Sequence, residues 1–448
     1  MQATRSRAAL AVLPPGTPGH RSSDGRLEAV FLTPPQGVHH IAEMPIDPED
    51  IAICVVDDVD LAPADSGATR PGFPPPYAPL GSAPTSPPIV QTSLFTFPNF
   101  AALVEGLAQE QRYNVYSRGC NPTVAAVEAK LARLERGEAA LCFGSGMAAI
   151  SAVLLGLLRA GDHILFVNQV YGPALQLAGH LRRFGIAHDV VLELDIESIE
   201  RALRPETRLI WFESPGTMLC RVLDIRALTE LARSRGIMTC IDNSWATPLF
   251  QKPLTLGVDI VVHSCTKYLG GHSDLVAGAV ITTAARIEEI FRRAYMLNGG
   301  ILAPFDAWLL LRGLRTLPVR LRQHEADTLR VAAFLREHPA VERVFHPVYE
   351  ENRALVDTQL RGYSGVLSFQ LRRGDFETVG RVLDSLRIFR LGVSWGGYES
   401  LALSPQRPNN QARLAAQGIP PGLIRLSIGL EGADLLISDL ATALEEAR

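Results

Sequence analysis

The 448-residue sequence predicts an α/β protein, a mostly parallel sheet with helices on both faces followed by a smaller α+β domain. Three observations predict it. Short apolar runs of strand length, "AALCF", "HILFV", "RLIWFES", "IMTCID" and "DIVVHS", recur between residues 119 and 310, as buried parallel strands do. Helical stretches such as "MAAISAVLLGLL" and "DIRALTELARSRG" separate them. After "DAWLLLRGLRTL" the strands grow sparser, and "GVLSFQLRR" and "LIRLSIGLE" alternate more clearly, which places the smaller domain at 311–448.

Taken in order, the chain opens with a composition break: 16 of its 31 prolines fall in the first 88 residues. Residues 1–84 therefore read as a Pro-rich extension. Within it "HHIAEMPIDPEDIAICVVDDVDL" has the pattern of a strand or two, and "ATRPGFPPPYAPLGSAPTSPP" that of an extended linker. No chemistry is assigned to this extension, and deletion of residues 1–80 is expected to leave catalysis largely unchanged. The opening "MQATRSRAALAVLPPGTPGH" has basic residues and a brief apolar patch, but prolines interrupt it before a signal-peptide core is complete. Further on, "PTVAAVEAKLARLE" puts Val124, Val127, Leu131 and Leu134 on one helical stripe with charges opposite. The longest strongly apolar run, near Ala148 to Leu158, falls well short of the roughly 20 residues a membrane span needs.

Composition narrows the function classes. A formal net charge of −4 advertises neither nucleic acid nor an anionic membrane as a partner, leaving small molecules or further copies of the chain. The six cysteines show no C-x-x-C or metal-ligand spacing, and several sit in apolar runs where free Cys behaves as a small hydrophobe. That usage suits a cytoplasmic protein, and no metal is called for.

In an open α/β sheet ligands gather at the carboxyl ends of the strands. Three such ends carry chemistry here. "CFGSGMAAIS" ends a strand, turns at Gly144 to Gly146 and opens a helix whose free N–H groups aim at an anion. "TCIDNSWATP" places Asp242 at a second strand end, and "VVHSCTKYLGGHSD" places Ser264, Thr266 and Lys267 at a third. An anion cradle, a strand-end carboxylate and a buried amine are what pyridoxal phosphate requires: donors for its phosphate, an acid partner for its ring nitrogen and a lysine for its aldehyde. Burial and a neighbouring cation would lower the lysine pKa and free its lone pair. Read as G-x-G-x-x-A, the turn also fits a dinucleotide fingerprint, but that needs an acid at the end of the next strand, where "HILFVNQVY" has Asn168 and Gln169. Singly, Asp242 could cap a turn and Lys267 could reach solvent; the three ends together favour the cofactor. In "LIRLSIGLE", Ile424, Leu426, Ile428 and Leu430 alternate onto one face, leaving Arg425, Ser427 and Gly429 on the other with room for a ligand.

From about residue 85 to the end the chain resembles the pyridoxal-phosphate enzymes of cysteine and methionine metabolism, the trans-sulfuration family of cystathionine β- and γ-lyases, cystathionine γ-synthase and methionine γ-lyase. The matching pieces, in family order, are "PPIVQTSLFTF", "YSRGCNPT", "FGSGMAAI", "VYGPAL", "ESP", "IDNSWATP", "HSCTKYLGGHSD", "DAWLLLRGLRTL", "SWGGYESL" and "IRLSIGLE". The resemblance implies fold type I of the pyridoxal-phosphate enzymes, with an arm at 85–118 reaching the neighbouring subunit, a cofactor domain at 119–310, and a homotetramer built from dimers with shared active sites. It implies that Lys267 holds the cofactor aldehyde as a Schiff base, Asp242 pairs with the ring nitrogen, and Gly146, Met147, Ser264 and Thr266 hold the phosphate. Tyr171 would stack on the ring and help catalysis. Tyr116 and Arg118 would reach the phosphate of the neighbouring subunit, Tyr116 also meeting the substrate. Arg425 would grip the substrate α-carboxylate, with Ser394 and Trp395 beside it.

Departures within the family narrow the reaction. "SWGGYESL" is most like bacterial cystathionine β-lyases; the γ-lyase-like pattern has Glu where Val393 stands, and methionine γ-lyases have Cys where Pro173 stands. "ESPGTM" has Thr217 where many members have an Asn that supports the cofactor's ring hydroxyl, whereas "YSRGCNPT" is closer to the wider family than to the most familiar β-lyases. The expectation is therefore a β-lyase acting on a sulfur amino acid, cystathionine. A γ-eliminating or γ-replacing relative, including an O-acyl-homoserine sulfhydrylase, is the alternative on the same fold. A dinucleotide-dependent oxidoreductase and a non-catalytic binding protein are disfavoured by Asn168 and Gln169 and by intact Lys267, Asp242 and Arg425.

Overall fold

The computed structural model describes residues 46–56 and 85–447. Among them, β1 Ala139–Phe143, β2 His163–Val167, β3 Ala187–Val191, β4 Thr207–Phe212, β5 Met238–Asp242, β6 Ile260–His263 and β7 Gly278–Thr282 form one sheet in the order β1-β7-β6-β5-β4-β2-β3. β7 pairs antiparallel with β1 and β6, and the remaining ladders are parallel. The architecture is the predicted one, and the five apolar runs are five of these strands. β3 and β7 were not anticipated. β3 is an edge strand whose residues are only partly covered, so "AHDVV" lacks the apolar signature of a strand buried on both faces.

A second sheet, β8 Val341–Phe345, β9 Val366–Leu371, β10 Arg390–Leu391, β11 Leu401–Leu403 and β12 Leu423–Ser427, has the order β10-β11-β12-β9-β8. Along β12 and the residue after it the expected alternation holds for Ile424, Leu426 and Ile428, which are buried in the core of this sheet. Leu430 does not continue it: the strand stops at Ser427, and Leu430 is 36% exposed. The two sheets share the helix Pro304–Glu337, whose first half packs Ala307, Leu310 and Leu314 into one core and whose second half packs Val331 and Leu335 into the other. The break expected between residues 310 and 311 thus lies inside a continuous helix.

Toward the N-terminus lie three further helices, α1 Pro48–Val55, α2 Phe100–Ala108 and α3 Pro122–Leu134. α1 corrects the expectation of strands in this stretch. Asp47 caps it, accepting a 2.9 Å bond from Glu49 N, Pro48 supplies the preset first turn, and Glu49 and Asp50 suit the positive helix end. Eight residues make no stable helix alone. What holds α1 is burial of Ile46, Ile53 and Cys54 in the large core. α3 buries the predicted stripe of Val124, Val127, Leu131 and Leu134, each burial stabilising by about 2 kcal/mol. Its opposite face is not all solvated charge: Lys130 is buried and donates to the carbonyls of Cys54 (3.1 Å) and Val56 (2.9 Å) at the end of α1. No helix among the described residues is long and apolar enough to cross a membrane.

Candidate active site

The carboxyl ends of β1, β5 and β6 supply the three features read from the sequence. After β1, Gly144 N donates to Gly300 O at 2.9 Å, and Ser145 caps α4 Gly146–Leu157, its hydroxyl accepting from Ala148 N at 3.0 Å. As at any helix start, the first N–H groups, here those of Gly146 and Met147, have no intrahelical acceptor and point at the space before the helix. That space is narrow: a Cβ on Gly146 would lie 3.1 Å from the Cβ and Oγ of Ser264. Glycine is what allows the helix start and the Ser264 turn to face each other closely enough to share one anion.

Asp242, partly exposed at the end of β5, is held by Ser244, whose N (3.0 Å) and hydroxyl (2.6 Å) both donate to Oδ1. The same hydroxyl accepts from Ser264 N at 2.6 Å, tying the ends of β5 and β6 together. Burial raises the Asp242 pKa above the usual carboxylate range, opposed by the Ser244 bonds and by His263 and Lys267. A protonated ring nitrogen beside it would pull that value back down, which is the electrostatic complement of the pairing inferred from the resemblance.

Lys267 closes the cluster. Its pKa is lowered to about 8, first by burial and then by Arg425, with Asp242 opposing. Its Nζ donates to Ser394 Oγ at 2.7 Å and stands 5.3 Å from the centre of the Trp395 ring, which packs on Tyr268 at 5.6 Å. The loop can approach this closely because Gly396 has φ +82°, and a Cβ there would meet Tyr268 N at 2.9 Å. Arg425, 7% exposed on β12, donates to Val393 O (3.1 Å) and Ser394 O (3.4 Å) and forms no ion pair among the described residues. A buried guanidinium held only by carbonyls is poised for a carboxylate, since the charge-assisted bidentate bond is far stronger. Val393 itself is 82% exposed.

Lys267, Asp242, Ser264, Gly146, Ser394, Trp395 and Arg425 are thus brought together through direct contacts or short relays. Thr266 is beside them, but its hydroxyl bonds Ala277 in both directions, donating to O at 3.2 Å and accepting from N at 3.0 Å. Tyr171 is 45% exposed at the start of α5 Gly172–Leu181, and its N–H donates to Glu213 Oε1. Tyr116 and Arg118 are exposed and pair with each other, the guanidinium 5.4 Å from the ring centre.

Sequence reasoning missed two groups. Ser244, the residue that aims Asp242, follows it by two in "DNS", the spacing of an Asx turn, which was the available signal. Glu213 in "ESP" is buried, with a pKa raised well above normal by burial and by Asp242, and its Oε1 accepts from the Tyr171 backbone N–H.

The residues fit pyridoxal phosphate: a helix-start cradle that a Cβ would fill, an aimed carboxylate with Oδ2 outside the Ser244 bonds, and an amine of lowered pKa. Comparison with known proteins agrees. Residues 80–445 match the family described as Cys/Met metabolism PLP-dependent enzyme. The chain is 39% identical over 367 residues to cystathionine gamma-lyase of Bacillus subtilis (80% of this chain, 94% of that one). It is 40% identical over 370 residues to cystathionine beta-lyase of Lactococcus lactis (81% and 94%). Among solved structures, cystathionine gamma synthase from Xanthomonas oryzae, in complex with aminoacrylate and cysteine, superposes with TM-score 0.78 at 34% identity (89% and 98%).

Proposed function

Because this chain belongs to the Cys/Met metabolism PLP-dependent enzymes, we propose that it is a cystathionine β-lyase, converting cystathionine to homocysteine, pyruvate and ammonia. The observation that carries this reading is the contact between Lys267 Nζ and Ser394 in the loop that also holds Arg425. It puts the amine that handles the Cα proton beside the guanidinium that anchors the carboxylate. Relatives of nearly equal identity bear β- and γ-lyase names, so overall similarity does not choose between bonds, and the reading rests on the residues of the loop. Glu at the Val393 position could engage a distal substrate amine and set a γ-eliminating pose, whereas Val393 offers no such charge, and Trp395 narrows the space beside Lys267.

Pyridoxal phosphate, when bound, accepts the substrate amine and draws off the electron pair released at Cα. The chain does the rest. Gly146, Met147, Ser264 and Thr266 hold the phosphate, Thr266 by turning its hydroxyl from Ala277. Asp242 keeps the ring nitrogen protonated. Arg425 exchanges the Val393 and Ser394 carbonyls for the substrate carboxylate. Tyr171 would lie against the ring and take the proton of the incoming amine. Lys267, free at a higher fraction than an ordinary lysine because its pKa is lowered, removes the Cα proton and returns one to the departing homocysteine thiolate. The three-carbon remainder hydrolyses to pyruvate and ammonia.

The same reading makes the protein a cytoplasmic homotetramer in which Tyr116 and Arg118 serve the neighbouring subunit's phosphate. Large apolar side chains left exposed on the arm, Phe100 (79%), Leu94 (53%) and Leu107 (52%), support burial against another copy. Product analysis with cystathionine tests the assignment: homocysteine and pyruvate support it, whereas cysteine and 2-oxobutyrate would reassign it to a γ-lyase.

A further inference from the structure

The residues of α1 lie upstream of the matched stretch 80–445 and take no part in the candidate active site. Yet this helix is tied to the large domain by buried charge. Asp50, fully buried, pairs through Oδ2 with Lys252 Nζ at 2.8 Å and through Oδ1 with Arg136 at 3.2 Å. Arg136 is an unusual residue for its place. It follows α3 with φ +61°, the left-handed conformation in which glycine is preferred. Its guanidinium reaches Glu49 at 3.1 Å and Asp47 at 3.9 Å as well as Asp50, and those contacts give a reason for an arginine there.

Lys252 leads from α1 toward the cofactor side. It is 8% exposed and also donates to the carbonyl of Leu134, the residue before Glu135. Glu135, fully buried, gives Oε1 to His263 Nε2 (2.5 Å) and to Asn243 Nδ2 (2.9 Å), while its Oε2 has no hydrogen-bond partner. His263 precedes Ser264 and Asn243 follows Asp242. One buried carboxylate therefore fastens the ends of β5 and β6 from behind, and a buried ammonium stands next to it, neutralised by Asp50. Without Asp50, Lys252 is left facing the charge of Glu135, and turning toward its unbonded Oε2 would compete with the hold on His263 and Asn243.

We propose that residues 46–56 are a positioning element of the cofactor site: Asp50 neutralises Lys252 and so leaves Glu135 to hold His263 and Asn243, which set Ser264 and Asp242. The proposal rests on the placement of Asp242 and Ser264 at the cofactor, and it reverses the expectation that the whole extension is dispensable.

The test uses the full chain, with pyridoxal phosphate as the probe. Two quantities are measured: the melting temperature of cofactor-free protein, and the dissociation constant from an absorbance titration. Asp50→Asn should lower the melting temperature by several degrees and weaken cofactor binding about tenfold. Asp50→Asn combined with Lys252→Met removes the uncompensated charge and should restore binding to within about threefold of the original. A lower melting temperature with unchanged cofactor affinity would reduce α1 to a structural brace and overturn the proposal, as would failure of the double variant to restore binding. Should Asp50→Asn not fold, Ile53→Ala, which loosens the packing of α1 and with it the Asp50 carboxylate, must weaken binding at least threefold, and unchanged affinity would overturn the proposal. Failure of the unaltered chain to bind pyridoxal phosphate would refute the cofactor assignment instead, with the melting comparison still deciding whether α1 is docked.

Discussion

Replacing Lys267 with methionine should make the cofactor-free protein more stable at pH 7 while abolishing the activity of the cofactor-loaded enzyme. The amine titrates at about 8 in the folded protein against 10.5 for an ordinary lysine, a difference worth about 3 kcal/mol. The sign follows from proton binding. Between pH 8 and 10.5 the unfolded chain holds the proton that the folded chain has lost, so stability contributed by this group rises with pH across that window. Below it the whole penalty of burying the ammonium is present. Methionine removes the penalty, but it also removes the bond to Ser394, worth about 1 kcal/mol, and the contact with Trp395, worth about 0.5 kcal/mol. The penalty wins, leaving a gain of about 1 to 2 kcal/mol at pH 7 that vanishes by pH 10.5. Urea unfolding of cofactor-free protein at pH 7 and pH 9.5, original against variant, measures it. A variant less stable at pH 7, or a difference independent of pH, would show that Lys267 is not an amine held under electrostatic strain. The same shift sets how much amine is free: at pH 7 about 10%, against about 0.03% for an ordinary lysine.

Further outcomes rest on the same geometry. Asp242→Asn should retain cofactor yet lower turnover at least about a hundredfold in steady-state assays, the usual loss for one electrostatic stabiliser; near-original turnover would make Asp242 structural. Gly146→Ala places a Cβ 3.1 Å from Ser264 and should weaken cofactor binding severalfold with little change in melting temperature; equal weakening of fold and binding would argue against a phosphate cradle. Arg118→Ala and Lys267→Ala should complement each other when subunits are mixed, since the proposed shared-site oligomer would re-form one intact site, and no recovery despite proven exchange would confine Arg118 to its own chain.

Several of these residues were legible because chemistry and local pattern coincide at them. Asp242 and Lys267 terminate apolar runs, and Arg425 interrupts an alternation whose other face is Ile424 and Leu426, so the strand period alone turned it away from the core. What the sequence concealed depends on tertiary partners. Glu213 stood in plain view, but its burial and its grip on the Tyr171 backbone come from β4 and α5 meeting in space. Lys130 fell among the charges opposite the α3 stripe, and nothing local announces the helix whose residues meet it and Lys252. α1 itself carried its signal, Asp47-Pro48 followed by two acids, but the apolar run "IAICVV" after them favoured a strand.

The measurement closest to the central claim is product analysis of a single reaction, cystathionine with the cofactor-loaded enzyme, separated and quantified by mass spectrometry. The loop of Val393, Ser394 and Trp395 beside Lys267 and Arg425 predicts equimolar homocysteine and pyruvate. Predominant cysteine and 2-oxobutyrate would contradict the β-lyase account.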